Sequence, residues 1–496
     1  MYLTRSKQNV FQSMNALLEV IHSLNKEESR FFKLYAGRTN SSGERKDLML
    51  FDAFKRSGEP DEDKIATKLY GGNKNAYYRL KNRLLSDLNK SLMLQHISNE
   101  ADLSILQSLL LARIFKQKRK YKIAISYLHK AEKKATQIEA FELLNIIFNE
   151  LIKMSHDDAS IDVEHYIEER KSNNKRLYTL QEIDDILAAV MYRVRTAQNF
   201  SGKNAAILEL LEKTVGDFSQ NTDIKTSGKL RIKIYQAVSR VLLQRHDFTA
   251  LEEYLKHTLD DFHKDKLFNK QTHEVKLQML TYLINCLFKN NKLGESLKRT
   301  EELRSGMNQF DGFLHDKFLF YYYNSLVINY SRLDKDKAIE ILEQAKTESI
   351  IKQSNYNYFF VYSNLALMYF DKGRFKPAIK HLSRIMLHEG FLDFARSFQI
   401  KIMAAELIIR YEIGDFDYLE KRIKQVKKDY QDLLGKSEFE REVLLLKILG
   451  ELVYTSNIKS NEKLMGFVTS LLNKLSQAEA DDADVLNYNK WLSDKL

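Results

Sequence analysis

Catalytic chemistry needs particular side chains at particular spacings, and few of them meet in this sequence. The chain of 496 residues holds one cysteine, Cys286, inside TYLINCLFKN, a stretch that reads as helix. A lone thiol builds neither a disulfide framework nor a cysteine-based zinc cluster, so Cys286 is expected to be a buried structural thiol. The twelve histidines are scattered, with no His-Glu-x-x-His pair. Gly71 and Gly72 are adjacent but do not continue to Gly-Lys-Ser or Gly-Lys-Thr, and no Gly-x-Ser-x-Gly elbow is present. Asp157-Asp158, Asp184-Asp185 and Asp481-Asp482 lie in polar stretches with no calcium-loop pattern, which makes solvation their expected role. These residues supply no catalytic, cofactor or metal constellation, and a non-enzymatic protein is expected.

Two other groups point to binding. The first is KNAYYRLKNRLLSDLNKSLMLQHI, a basic helix carrying Lys74, Arg79, Lys81, Arg83 and Lys90. A short helix over 63–70 and the break Gly71-Gly72-Asn73 precede it, the order found in helix-turn-helix and winged-helix units. Lysine and arginine alone announce phosphate contact, while Asn75, Tyr78 and Asn82 either reach bases or cap and pack. No wing strands are evident, and a solvated basic face on a docking helix is the plainer reading. The second group is aromatic. FLFYYYNSLVINY carries Phe320, Tyr321, Tyr322 and Tyr323, and YNYFFVYSNL carries Tyr356, Tyr358, Phe359, Phe360 and Tyr362. Tyr321 and Tyr358 stand 37 residues apart, in equivalent parts of successive units. Stacking would bring the two runs together, so Tyr321, Tyr322, Tyr323, Tyr356, Tyr358 and Phe359 are expected to form a partner-binding surface. Core packing and base stacking are the competing uses of the same rings. A smaller double reading concerns Phe31 and Phe32, neighbours that cannot share one narrow apolar face. One is expected in a local core and the other against the repeats.

The elements that must position these residues are helices. Proline occurs twice, as Pro60 and Pro377, against average usage of roughly 5%. Glycine occurs 17 times, too rarely for the many turns of a strand-rich fold. Hydrophobic residues make up 44% of the chain, which is too apolar for disorder. No apolar run approaches the ~20 residues needed to cross a bilayer, and the start of the chain lacks a continuous apolar segment. A cytoplasmic location is therefore expected. The net charge of +11 is modest for this length and mildly favours an acidic partner.

Residues 1–100 read as a basic helical domain. Helices are expected over 11–24, 27–36, 48–54, 63–70 and 74–97, with a turn at 40–43 and a stop near Gly58 and Pro60. Tyr77, Leu80, Leu84, Leu88 and Leu92 form the apolar stripe of the last helix. From residue 101 to 475 tandem helix pairs take over. The best unit is YSNLALMYFDKGRFKPAIKHLSRIML, which places Tyr362, Leu365, Ala366, Tyr369, Gly373, Phe375, Ala378 and Leu382 on the tetratricopeptide template. Ala366 and Ala378 are small where two helices cross, Gly373 makes the turn, and Pro377 sits in a first helical turn. Looser units carry Phe115 and Ala124, Phe248 and Leu251, Leu293 and Ser296, Ala338 and Leu342, and Gly414 and Phe416. A further unit is expected within 199–214. Second helices begin near 249, 294, 335, 376 and 417, giving spacings of 45, 41, 41 and 41 residues. Near-even spacing is the mark of a solenoid, here with units longer than the ideal ~34. The acidic segment 476–496 ends in a capping helix with Leu486 and Trp491.

LNKEESRFFKLY, GGNKNAYYRLKNRLLSDLNKSL and the closing WLSDKL together resemble uncharacterised tetratricopeptide-like helical repeat proteins of Bacteroidetes bacteria. The repeat resemblance covers roughly residues 100 to 475. It implies protein or peptide binding on a concave surface, a bacterial cytoplasmic setting and no catalytic residue. Most units depart from the template at one glycine or alanine position. The expectation is thus an all-α, right-handed superhelical solenoid of degenerate helix pairs behind a small N-terminal helical, helix-turn-helix-like domain. It would act as a scaffold or adaptor for a protein or peptide partner, with no membrane association. The alternative is a regulatory nucleic-acid-binding protein that uses the basic helix, with the array as its partner-sensing module.

Overall fold

The structure, a computed structural model, describes residues 16–39, 45–56, 61–97, 100–196, 225–455, 458–459, 461–474 and 485–496. The expected turn at 40–43, the stop at Gly58 and Pro60, the unit at 199–214 and Asp481-Asp482 lie outside these residues. Among the described residues every regular element is helical and none is a strand. The chain is all-α. It divides into two compact units, Met1–Ala237 and Val238–Leu496.

The first unit opens with α1 (described over 16–23), α2 (Lys26–Thr39), α3 (Lys46–Arg56), α4 (Glu62–Tyr70) and α5 (Lys74–His96). A reciprocal cap starts α2. The Asn25 side chain accepts from the Glu28 N–H, and the Glu28 carboxylate accepts from the Asn25 N–H, both at 2.8 Å. Gly71 ends α4 in the left-handed region at φ 58°, and Gly72 follows at 88°. Asn73 then caps α5 by accepting from the Ala76 N–H. Tyr77, Leu80, Leu84 and Leu88 are buried against Phe32, Phe51, Phe54 and Leu69, giving this head its own core. Phe32 is the partner of Phe51 in that core, at 4.9 Å between ring centres, while Phe31 is half-buried. The next helices are α6 (Ala101–Gln117), α7 (Tyr121–Gln137), α8 (Phe141–Met154) and α9 (Val163–Thr196), followed by α10 (Gly228–Gln244). The polar stretch before Thr196 is one helix of 34 residues, and its widely spaced Tyr166, Leu180 and Ile183 join the core of α6 to α8.

The second unit holds α11 (Phe248–Lys264), α12 (His273–Lys289), α13 (Leu293–Met307), α14 (His315–Leu333) and α15 (Lys335–Ala345). It continues with α16 (Asn355–Asp371), α17 (Phe375–Met386), α18 (Arg396–Ile413), α19 (Phe416–Asp429), α20 (Glu440–Leu452), α21 (Glu462–Leu472) and α22 (Tyr488–Ser493). Short helical turns such as Ser349–Gln353 and Gln431–Leu434 join some of them. From α11 to α19 successive helices pack on one another, and α12 also meets α14. Second helices begin at Phe248, Leu293, Lys335, Phe375 and Phe416, within one residue of the starts read from the sequence. Ala338, Ala366 and Ala378 are buried where these helices cross. At the end, Leu486 and Trp491 are buried in the core shared by α18, α20 and α21.

Candidate functional site

The aromatic runs are spread by the helix rather than gathered. Successive residues turn by about 100° on a helix, so four in a row face every direction. On α14, Phe320 is buried, Tyr321 is 43% exposed, and Tyr322 and Tyr323 are half-buried. The Tyr323 hydroxyl donates to Glu348 at 3.1 Å, and the Arg304 guanidinium lies 5.8 Å from the Tyr322 ring centre. Burial pushes both phenols up, Tyr323 to about 12. On α16, Tyr356 is 64% exposed, whereas Tyr358 is half-buried between His388 and Tyr362, at 4.5 and 4.3 Å.

Phe359 corrects the expectation for this surface. It is 2% exposed and packs among Phe391, Phe394 and Phe398, so it is core and presents nothing to a partner. The pairing across units also differs from the expected one. Tyr321 meets Tyr356, not Tyr358, through a shared neighbour. The buried Phe320 ring lies 5.7 Å from Tyr321 and 5.8 Å from Tyr356, edge-on to each. Two exposed phenols from successive pairs thus stand on one buried ring.

The basic helix is sorted in the same way. Lys81 is 4% exposed, with its ammonium 2.8 and 2.9 Å from the two Glu62 carboxylate oxygens. It lies over the rings of Phe54 and Tyr77 at 5.6 and 5.7 Å. Lys81 therefore ties α5 to α4 and cannot reach a phosphate, which corrects the expectation drawn from its charge. Lys74 is exposed and paired with Asp63 at 3.0 Å, and Lys90 is paired with Asp87 at 3.6 Å. Arg79 and Arg83 are exposed, as are Asn75, Tyr78 and Asn82.

Two exposed apolar groups escaped the sequence reading. Phe310 and Phe313 lie in the link before α14, against the rim of buried His273 at 4.9 and 6.2 Å. They belong to no helical period, so no periodicity signals them. Leu106, Leu110 and Ile114 form a second apolar face on α6, opposite the buried Ile105, Leu109 and Ala112. Their spacing of four was visible, but one apolar face already accounted for the helix.

Cys286 is buried, and burial pushes its thiol up to about 12, so it stays protonated and unreactive. Asp158 accepts from the Ser160 N–H, and Asp184 pairs with Lys233 at 2.6 Å. Among the described residues no three of His, Cys, Asp and Glu converge as a metal site would need. No helix among them is long and apolar enough to cross a membrane. Compared with known proteins, the chain matches no described family and no curated sequence.

Proposed function

We propose that the helix pairs are degenerate tetratricopeptide-like repeats stacked as a solenoid, and that the protein is a non-enzymatic scaffold binding a protein or peptide segment. The even register of the second helices supports the stacking. So does the packing of each helix on its neighbours in the chain. The binding reading rests on one observation, the exposed pair Tyr321 and Tyr356 braced on Phe320. Exposed, rigid aromatic residues lose little entropy on binding, and such residues dominate interface energetics.

The test is affinity capture with the immobilised full-length protein and lysate of its native host. Replacing both residues (Tyr321→Ala with Tyr356→Ala) is expected to cost about 2 kcal/mol or more of binding, thus at least roughly a tenfold loss of the captured partner. Helicity and thermal unfolding should be unchanged, because both side chains face solvent. An identical captured set from the double variant would remove this surface from consideration.

A further inference from the structure

We propose a second binding activity, independent of the aromatic pair: α4, its glycine turn and α5 read duplex DNA, with the outer face of α5 in the major groove. That face carries Asn75, Tyr78, Arg79, Asn82, Arg83 and Ser86, all exposed. Their spacing of three and four puts them on one stripe, and eleven residues rise about 16 Å along the helix. The opposite face is fully used by the head core, through Tyr77, Leu80, Leu84 and Leu88. Folding therefore gives no reason for the outer residue types.

Their chemistry is selective. An ordinary solvated helix face mixes lysine and glutamate at i, i+4. This stripe holds no carboxylate, and the acids flanking it, Asp63 and Asp87, are already bound to Lys74 and Lys90. What remains is guanidinium and carboxamide, with the Tyr78 phenol and the Ser86 hydroxyl. An arginine fork matches guanine O6 and N7, and an asparagine amide matches adenine N6 and N7. The charge suits a polyanion, and the amides suit base edges. The local fold delivers them correctly as well. α5 packs against α2, α3 and α4, and its first turn emerges from the left-handed Gly71 and the Asn73 cap. A recognition helix reads bases with its N-terminal turns in this setting.

Duplex DNA fits better than RNA. A helix is 10–12 Å across and the B-form major groove is about 12 Å wide, whereas A-form RNA closes its major groove to side chains. The Lys74–Asp63 pair is exposed on both sides, so it opens toward a phosphate at little cost.

The experiment is fluorescence anisotropy with the full-length protein and a labelled 30-base-pair duplex of mixed sequence, between 50 and 200 mM KCl. Wild-type protein is expected to bind, with log affinity falling linearly against log salt. Replacing both arginines (Arg79→Ala with Arg83→Ala) should weaken binding roughly thirtyfold or more. Lys74→Ala should lower the salt slope by about one. Asn82→Ala should change which sequences are retained from a random duplex library. Circular dichroism and thermal unfolding should match wild type, since these side chains are exposed. The Tyr321 and Tyr356 double variant should bind DNA normally, which separates a failure here from a failure of the scaffold reading. No retention at 50 mM KCl would overturn the proposal. So would wild-type affinity of the arginine variant, or equal binding to duplex RNA or to an acidic peptide.

Discussion

Glu252 carries a charge into the interior of the second unit. It is 3% exposed on α11, yet its carboxylate accepts from Lys256 at 2.8 Å, Lys292 at 2.7 Å and the Asn290 amide at 2.7 Å. Asn290 also donates to the Phe248 carbonyl, so this one acid holds the turn of the next helix pair. Burial pushes the carboxyl up, but the three donors outweigh it and hold it down at about 2. A folded value below the unfolded one means stability present above about pH 4.5 and lost as pH falls toward 2. Glu252→Gln should therefore cost about 2 kcal/mol at pH 7, with the gap to wild type closing between about pH 4.5 and 2. Urea midpoints at pH 7, 5, 4 and 3 measure this. A gap constant with pH would show that shape rather than charge is what matters there. Glu406 is also buried, on α18, and accepts from Arg422 at 2.9 Å.

At the scale of elements, most turns inside the pairs share one geometry on unlike sequences, the extended Asp334 between α14 and α15 being the exception. Arg119, His246, Asn291 and Gly373 all take a left-handed φ, between 56° and 67°. The residue after each donates its N–H to the carbonyl five positions back: Lys120 to Phe115, Asp247 to Leu242, Lys292 to Leu287 and Arg374 to Tyr369, at 2.8 to 3.1 Å. This is the Schellman closure, which glycine usually provides. Of these four only Gly373 meets it without strain; Gly414, at φ 84°, makes the same closure between α18 and α19, where the Asp415 N–H donates to the Arg410 carbonyl at 3.3 Å. His246→Gly should thus raise stability by about 0.5–1 kcal/mol, while Gly373→Ala should lower it by about 1 kcal/mol. No side chain crowds Gly373, so the second value isolates the backbone. Chemical denaturation followed by circular dichroism reads both. A neutral Gly373→Ala would mean that the turn does not need its left-handed residue.

At the scale of the molecule, α22 completes an apolar core. Trp491, the single tryptophan, is buried; its ring lies edge-on to Tyr411 at 5.9 Å and its N–H donates to Glu412 at 2.7 Å. Lys495 pairs with the same Glu412 oxygen at 2.7 Å. Without α22, the apolar faces of α18, α20 and α21 that pack in this core would meet water. Trp491→Ala is expected to cost about 3–5 kcal/mol, read as a lower urea midpoint. Trp491→Phe keeps most of the buried area and should cost far less. Equal losses in the two variants would shift the weight from burial to the indole hydrogen bond.

The all-helical fold, the helix starts of the second unit and the stripe of α5 were legible in the sequence. Each depends on local period, cap or breaker, and these act over a few neighbouring residues. Which individual polar and aromatic side chains met solvent was not legible, because burial depends on what another element brings. Lys81 looked like an exposed cation until α4 placed Glu62 beside it. Phe359 and Tyr356 sit three residues apart in one aromatic run, yet one is core and the other is surface. Their difference comes from Phe391, Phe394 and Phe398, more than thirty positions onward, which enclose Phe359 alone. Residue types thus determined which chemistry the chain holds, and tertiary packing decided which part of it faces a partner.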